Sequence, residues 1–348
     1  MNHRERVRAA LAHQQPDRLP IDFGGTFLSS ATPAMQERIA AVLGLQGAAD
    51  PRFRQFDNRI QEHFGCDIRS IVPRAARNWG FGRMDHAPLR EAGIEDLRAW
   101  PWPEPSDALV AGLREEARFL HEETPYAICA SQVGQGIFEA SCYLRGYDQI
   151  LMDIMEDEDF VHALNQHILA TNLALGDLYF AEIGPYVDLV LVGDDLAMQN
   201  GPYMGPDTFR RLYKPYFAQY IAGIRKHCPQ AVIGHHCCGA SRLLLDDLIE
   251  IGVQFANPVQ TTATGMAPAE LATYKPRLAF HGGGDLQHVL PHGSEAEVRA
   301  LVHELIDGLG QGGGYILAPC HSLPEDVRPE NLVCFLEEAL RYSTTCAA

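Results

Sequence analysis

The sequence has few basic residues, with 28 Lys and Arg against 45 Asp and Glu and a formal net charge of −17. Because an acidic protein repels phosphate groups, this balance argues against nucleic acid or an anionic membrane surface as the main partner. The sequence also has no run of about 18 apolar residues, the length that a membrane-spanning helix needs. Its N-terminus, MNHRERVRAALAHQQPDR, lacks the apolar segment of a secretory signal, so we expect a cytoplasmic protein.

Cysteine is too sparse for a disulfide scaffold, because nine cysteines are spread over 348 residues and their number is odd. The short paired spacing C-x-x-C is absent. A closed structural zinc site of four thiolates would need such pairs. Each cysteine is therefore a core thiol, a metal ligand or a nucleophile, and only its position distinguishes these possibilities.

Apolar segments rich in β-forming residues alternate with amphipathic helical patterns along the whole chain. The eight predicted strands are 20–23, 68–73, 126–131, 187–193, 231–236, 253–258, 278–283 and 315–319. This alternation predicts an α/β fold of the (β/α)8 TIM barrel type, as one domain over 1–348 with an N-terminal helical extension. The stretch near 75–105, with RNWGFGRMDHAPL and AWPWPEPSD, predicts an irregular insertion. A doubly wound open sheet is the alternative architecture.

Residues that bind metals follow two of the predicted strands, where a barrel places its functional groups. The strand AVIG runs into HHCCG, and since alternate residues of an extended chain share a face, His236 and Cys238 point to one side. Cys320 follows the last strand and opens onto the same barrel mouth. One imidazole and two thiolates match zinc and leave a fourth position open, the catalytic pattern. The alternative is a buried strand end with core thiols and hydrogen-bonded histidines.

Other polar residues lie at predicted strand ends or follow a glycine turn. Candidates for a fourth ligand, a proton donor or an orienting partner of His236 are Glu139, Asp194 and Asp195. Helix capping or loop solvation is the alternative for each. Candidate substrate-binding residues are Gln199, Asn257, Gln260 and Asp285. His321, beside Cys320, could replace a ligand or donate a proton.

The chain resembles the uroporphyrinogen decarboxylase superfamily, and within it the branch of corrinoid-dependent methyltransferases. The resemblance covers nearly the whole length, in the segments RERVRAALAHQQPDRLPIDFGG, GIFEASCYLRGYDQILMDIMEDEDFV, VGDDLAMQNGPYMGPDTFRRLYKPYF, GHHCCGASRLLLDDLIEIGVQFANPVQ, FHGGGDLQHVLPHG and GGGYILAPCHSLPEDVRPENL. The signature of the branch is H-x-C-G with a lone cysteine after the last strand. Here these residues are His236, Cys238, Gly239 and Cys320.

This resemblance implies a zinc ion in a (β/α)8 barrel and transfer of a methyl group to or from cobalt. The second reactant would be a small-molecule methyl donor or a thiol, and an aromatic methyl ether would make the protein the demethylating component of its system. The corrinoid (cobalamin) would be carried by a separate partner protein, because the sequence has no D-x-H-x-x-G cobalamin motif. Zinc would act as a Lewis acid or lower the pKa of a thiol.

Two other activities remain as alternatives. A decarboxylase (lyase) of the uroporphyrinogen type would need the arginine-rich RQAGRY segment that binds the carboxylates of the substrate, and this chain has LPIDFGGTFLSS there. A polycarboxylate would also meet repulsion from Asp22, Glu139, Asp194, Asp195 and Asp285. The other alternative is a zinc methyltransferase that uses a folate as methyl carrier, without cobalt.

Overall fold

A computed structural model describes residues 1–74 and 87–346 of the chain. Nine strands alternate with helices in it. The strands are β1 (Ile68–Ile71), β2 (Ala127–Ser131), β3 (Leu189–Gly193), β4 (Ala197–Met198), β5 (Gly201–Pro202), β6 (Val232–His236), β7 (Phe255–Val259), β8 (Ala279–Gly284) and β9 (Tyr315–Pro319). All but β4 and β5, a small antiparallel pair, coincide with predicted strands.

The described residues contain fifteen α-helices, most of which lie between successive strands. They are α1 (His3–Leu11), α2 (Pro33–Val42), α3 (Asn58–His63), α4 (Ile94–Ala99), α5 (Leu113–Glu122), α6 (Ile137–Arg145), α7 (Tyr147–Glu156), α8 (Glu158–Ile183), α9 (Pro206–Leu212), α10 (Lys214–His227), α11 (Leu245–Glu250), α12 (Pro268–Leu271), α13 (Val289–His292), α14 (Glu295–Leu305) and α15 (Pro329–Cys346). None of these described helices is both long enough and apolar enough to cross a bilayer.

Seven parallel strands form one curled sheet in the described residues, in the order β1-β2-β3-β6-β7-β8-β9. The predicted strand 20–23 is reduced to a single bridge, in which Ile21 pairs with Leu317 of β9. On its other side the Ile21 carbonyl accepts from the Asp67 amide at 2.8 Å, just before β1. Pro20 has no N–H to donate, and the Ile21 amide bonds the Asp67 carboxylate instead of a strand. This segment takes the eighth position, and the predicted (β/α)8 barrel is confirmed.

The barrel interior is filled by apolar side chains from several strands and closed at the N-terminal ends of the strands by α1, the predicted helical extension. The interior cluster consists of Val7, Leu11, Ile68, Ala127, Cys129, Leu189, Leu191, Phe255, Ala279 and Ile316. Ion pairs hold α1 in this place, from Arg6 to Asp67 at 2.7 Å and from Arg8 to Asp188 at 2.6 Å. The opposite end of the barrel, at the carboxyl ends of the strands, is left for polar side chains.

The predicted insertion near 75–105 is described from residue 87 onward. It contains the short helix α4 and otherwise irregular chain. Its Trp102 ring stacks on His167 of α8, with ring centroids 5.3 Å apart and nearly parallel planes. Trp79 and Phe81, which belong to the same predicted insertion, lie outside the described residues. The described part of the insertion therefore packs on the helical shell.

Candidate metal centre

The end of β6 brings a nitrogen and a sulfur donor together. Cys238 Sγ lies 3.4 Å from Nε2 of His236. His321, which follows β9, completes a group of three ligand atoms that all lie within 4.8 Å of one another. It is the one group of three or more possible metal ligands in the described residues that meets this distance. The alternation in HHCCG thus places His236 and Cys238 on the same side, toward the barrel mouth.

The other two residues of the motif are part of the core. The His235 ring packs beside Phe217 with centroids 5.5 Å apart, and burial lowers its pKa to about 3, so that the imidazole is neutral. The Cys237 thiol is buried and accepts a hydrogen bond from the Leu196 amide at 3.2 Å. His235 and Cys237 are therefore the core residues that the alternative interpretation of HHCCG expects. The metal-site interpretation concerns His236 and Cys238.

A tight turn after β6 sets the position of the Cys238 thiol. The Cys238 amide donates to Asp195 Oδ1 at 2.6 Å, and the Gly239 amide donates to Gln260 Oε1 at 2.8 Å. Gly239 has φ +85°, and a Cβ at this position would lie 2.5 Å from the carbonyl oxygen of Met198. Only glycine adopts this conformation in the available space. Steric constraints therefore explain why the H-x-C-G motif has a glycine at this position.

Cys320 lies at the same mouth, but its thiol points to the backbone. Its Sγ donates to the Val259 carbonyl at 3.0 Å, and Cys320 is not a member of the three-atom group. Cys320 shares a cavity wall with Cys238 and His321. Burial raises the pKa of the Cys320 thiol to about 12, so it is protonated without a nearby cation. Its role as a metal ligand stays a prediction.

Two cavities flank the His236–Cys238–His321 group, and His321 lines both. The amide chamber, of about 230 Å³, is lined by Gln199, Cys238, Pro258, Gln260, Thr261, Thr262, Asp285, Leu286, Gln287, Cys320 and His321. The acidic chamber, of about 200 Å³, is lined by Phe27, Leu28, Gln132, Gly134, Gln135, Glu139, Gly193, Asp195, His236 and His321. A reactant in either chamber would contact the candidate ligands directly.

Two of the three predicted catalytic carboxylates face the acidic chamber. Asp195 Oδ1 lies 3.7 Å from His236 Nε2. Glu139, in the first turn of α6, accepts hydrogen bonds from Tyr143 Oη at 3.2 Å and Gln135 Nε2 at 3.3 Å. Burial, reinforced by the negative charge of Asp195, raises the pKa of Glu139 to about 7. Glu139 can thus hold or release a proton near neutral pH.

The third carboxylate, Asp194, has a different environment. It is fully buried and accepts from the amides of Phe138 and Glu139, at 2.8 and 2.9 Å. These amides lie in the first turn of α6, where N–H groups have no partner within the helix. Burial raises the pKa of Asp194 well above its usual range. Asp194 is a helix cap in this structure, and its catalytic role stays a prediction.

Three of the four predicted substrate-binding residues line a chamber, and Asn257 contacts His236 instead. Gln199, Gln260 and Asp285 line the amide chamber. The Gln260 amide donates to Gln199 Oε1 at 2.8 Å. Asp285 also accepts from the amides of the turn after β8, such as that of Gln287 at 2.8 Å. Asn257 lies opposite His236 in the β6–β7 register, and its Oδ1 lies 2.5 Å from Nδ1 of His236. This pairing follows from the register of β6 and β7, which no local sequence pattern gives.

The fold and the site together define a (β/α)8 barrel with a candidate nitrogen–sulfur metal centre at the carboxyl ends of its strands. The chain belongs to the uroporphyrinogen decarboxylase (URO-D) family, whose model matches residues 84–342, well over half of its length. This match confirms the superfamily expected from the sequence. The chain matches none of the curated proteins.

Two solved structures illustrate the likeness. A methyltransferase from Methanosarcina mazei is 15% identical with a TM-score of 0.69, and the alignment covers 98% of this chain and 99% of that one. A protein assigned as a vitamin-B12-independent methionine synthase from Listeria monocytogenes is 12% identical, over 94% of this chain and 99% of that one, with a TM-score of 0.48. At such identities the first likeness establishes the fold alone, and the second carries no argument.

Proposed function

We propose that the protein is a zinc-dependent methyltransferase that moves a methyl group between a small molecule and the cobalt of a separate corrinoid protein. The observation that carries the proposal is the group of His236, Cys238 and His321 between two cavities at the barrel mouth. The small molecule is a methyl donor, such as a methyl ether, or a thiol acceptor. With a methyl ether, the protein would be the demethylating component of its system.

The donor atoms fit zinc. Zinc bonds of about 2.05 Å to nitrogen and 2.3 Å to sulfur, at a tetrahedral angle, separate the two donors by about 3.6 Å. The distance between His236 Nε2 and Cys238 Sγ is 3.4 Å. Imidazole nitrogen with thiolate sulfur is also the set that selects zinc among common divalent ions. We propose His236, Cys238 and Cys320 as ligands, with His321 beside them.

Bound there, zinc would supply a Lewis acid that lowers the pKa of a thiol or stabilises negative charge on the atom that loses the methyl group. The residues of the chain have separate tasks around it. Asp195 holds the backbone of Cys238 through a 2.6 Å hydrogen bond. Glu139, with its pKa raised to about 7 by burial, can give a proton to a leaving group in the acidic chamber or take one from an incoming thiol.

One comparison and one sequence motif support the proposal. The structure with a TM-score of 0.69 is named a methyltransferase, and it aligns over nearly the full length of both chains. The branch signature on His236, Cys238, Gly239 and Cys320 adds the corrinoid partner to the proposal. The small volumes of the chambers, about 200 and 230 Å³, suit a small reactant rather than a complete corrinoid. The corrinoid would therefore approach the mouth from outside.

A decarboxylase is the second candidate, because the matching family model is that of uroporphyrinogen decarboxylase. The chamber walls argue against it. Glu139 and Asp195 line one chamber and Asp285 lines the other, and neither wall includes an arginine or lysine among the described residues. A substrate with several carboxylates would find no cationic partner there.

The test is spectroscopic. Free cob(I)alamin and methylcobalamin are mixed with the zinc-loaded protein and with candidate methyl ethers or thiols, and the cobalt absorption is followed. We expect the cobalt state to change with one class of substrate, and the change to disappear in Cys238→Ala. Conversion of uroporphyrinogen to products with fewer carboxyl groups, without any cobalt change, would refute the proposal in favour of the lyase.

A further inference from the structure

We infer that a chain of three buried side chains, Asn257, His281 and Asp22, positions His236 and fixes which of its ring nitrogens faces the metal. The role in metal binding rests on the proposed function. The hydrogen bonds themselves do not depend on it. We call the series from Asp22 to His236 the positioning chain.

Three consecutive hydrogen bonds form the positioning chain. His236 Nδ1 lies 2.5 Å from Asn257 Oδ1, and Asn257 Nδ2 lies 2.6 Å from Nδ1 of His281. His281 Nε2 lies 2.9 Å from Asp22 Oδ2. All four residues are at most 5% exposed. They come from the adjacent strands β6, β7 and β8 and from the segment that occupies the eighth position of the barrel.

The carboxylate of Asp22 sets the direction of every proton in the chain. Its oxygens also accept from the Gly25 amide at 2.8 Å and from Ser29 Oγ at 2.6 Å. A carboxylate only accepts hydrogen bonds, so Nε2 of His281 carries the proton that faces it. Nδ1 of His281 faces the amide nitrogen of Asn257, which only donates, so Nδ1 is the acceptor.

The next two bonds follow from this assignment. Nδ1 of His281 accepts from the amide nitrogen of Asn257, which turns the amide oxygen toward His236. Nδ1 of His236 then carries the proton, and Nε2 keeps its lone pair on the side of Cys238. With the opposite amide orientation, Nε2 of His236 would carry the proton and could not bind a metal. Hydrogen bonds from the second ring nitrogen orient metal-binding histidines in this way.

Asp22 acts at a distance. It is separated from His281 by 259 positions in the sequence and contributes nothing to the described walls of either chamber. A change at Asp22 can therefore reach the metal centre only through the chain of hydrogen bonds or through the stability of the fold. Asp22 and His281 are positioning residues, and this separation allows the two effects to be distinguished.

The test reads the histidine tautomers of the metal-free protein by ¹⁵N NMR and the zinc affinity by chelator competition. In the wild type we expect His236 protonated at Nδ1 and His281 at Nε2. Asp22→Asn can donate as well as accept, so we expect mixed tautomers at both rings and a zinc affinity lower by about 10- to 100-fold. The matched control is Asp188→Asn, a buried carboxylate at the other end of the barrel, which should change neither readout.

A second variant keeps the test decisive if Asp22→Asn does not fold. Asn257→Asp still accepts from His236 but cannot donate to His281. We expect the wild-type tautomer at His236 and protons on both ring nitrogens of His281, because that ring then lies between two carboxylates. A wild-type His236 protonated at Nε2, or unchanged tautomers in both variants, would overturn the inference. A correct tautomer pattern in a protein that binds no zinc would instead refute the proposed function and leave the chain intact.

Discussion

The backbone amide of Cys238 donates a 2.6 Å hydrogen bond to the carboxylate of Asp195, which follows the neighbouring strand β3. This bond ties the turn after β6 to the adjacent strand end. The Cys238 thiol is thereby held near His236 by the backbone and not only by its own side-chain packing. Several measurable consequences depend on this anchored turn and on the groups around it.

Gly239→Ala should weaken metal binding without changing any ligand. The new Cβ would lie 2.5 Å from the Met198 carbonyl oxygen, at a residue with φ +85°. The turn must shift, and with it the Cys238 thiol. We expect the zinc affinity to fall by about tenfold or more, measured by chelator competition, since metal sites tolerate little displacement. Gly201→Ala is the control, because a Cβ there has no heavy atom within 4 Å. Equal affinities in the two variants would contradict this account of the turn.

Cobalt substitution can decide between Cys320 and His321 as the third ligand. Each thiolate bound to Co²⁺ adds a sulfur-to-metal charge-transfer band. We expect Cys320→Ser to reduce the band of the wild type by about half, and His321→Ala to leave it unchanged. The hydrogen bond from Cys320 to Val259 must then open when the metal binds. An unchanged band in Cys320→Ser would assign the position to His321, the residue that the structure groups with His236 and Cys238.

Glu139 should make the stability of the metal-free protein depend on pH. Burial raises its pKa from the usual value of 4.5 to about 7, so the folded state binds more protons than the unfolded state between these values. The free energy of unfolding contributed by this group therefore falls as the pH rises from 4.5 to 7. Urea titrations at several pH values should show a shallower fall for Glu139→Gln than for the wild type. Parallel curves would show that Glu139 ionises normally.

Asp194→Ala should destabilise α6. The variant removes the acceptor of two amides in the first turn of this helix, at 2.8 and 2.9 Å. Loss of a helix cap costs about 1 to 2 kcal/mol, which urea denaturation can measure. Asp194→Asn keeps only one of the two acceptor oxygens and turns its NH2 group toward the other amide, so it should also be less stable than the wild type. If both variants are as stable as the wild type, the capping role is wrong.

Much of the barrel could be predicted from the sequence, because a parallel strand covered on both faces leaves a continuous apolar segment. Seven of the eight predicted segments overlap the strands of the curled sheet. The segment 20–23 looks like the others in composition, but it makes only one bridge. Pro20 cannot donate, and the Asp67 side chain takes the Ile21 amide. Tertiary packing decides whether a backbone amide such as that of Ile21 bonds a side chain or a neighbouring strand.

The site was predictable where short-range geometry determines it. The side-by-side arrangement of His236 and Cys238 follows from the alternation of an extended chain. The partner of Asn257 depends on the register of β6 and β7, and the partners of Asp194 depend on how α6 packs against the end of β3. No local sequence pattern encodes either arrangement. The contact between His281 and Asp22 joins residues 259 positions apart. It exists only because the barrel closes.

Metal analysis of the purified protein tests the central claim most directly. We expect one zinc per chain in the wild type, loss of the metal in His236→Ala and in Cys238→Ala, and retention in Cys237→Ala, whose thiol is part of the core. Wild-type zinc content in both His236→Ala and Cys238→Ala would contradict the account.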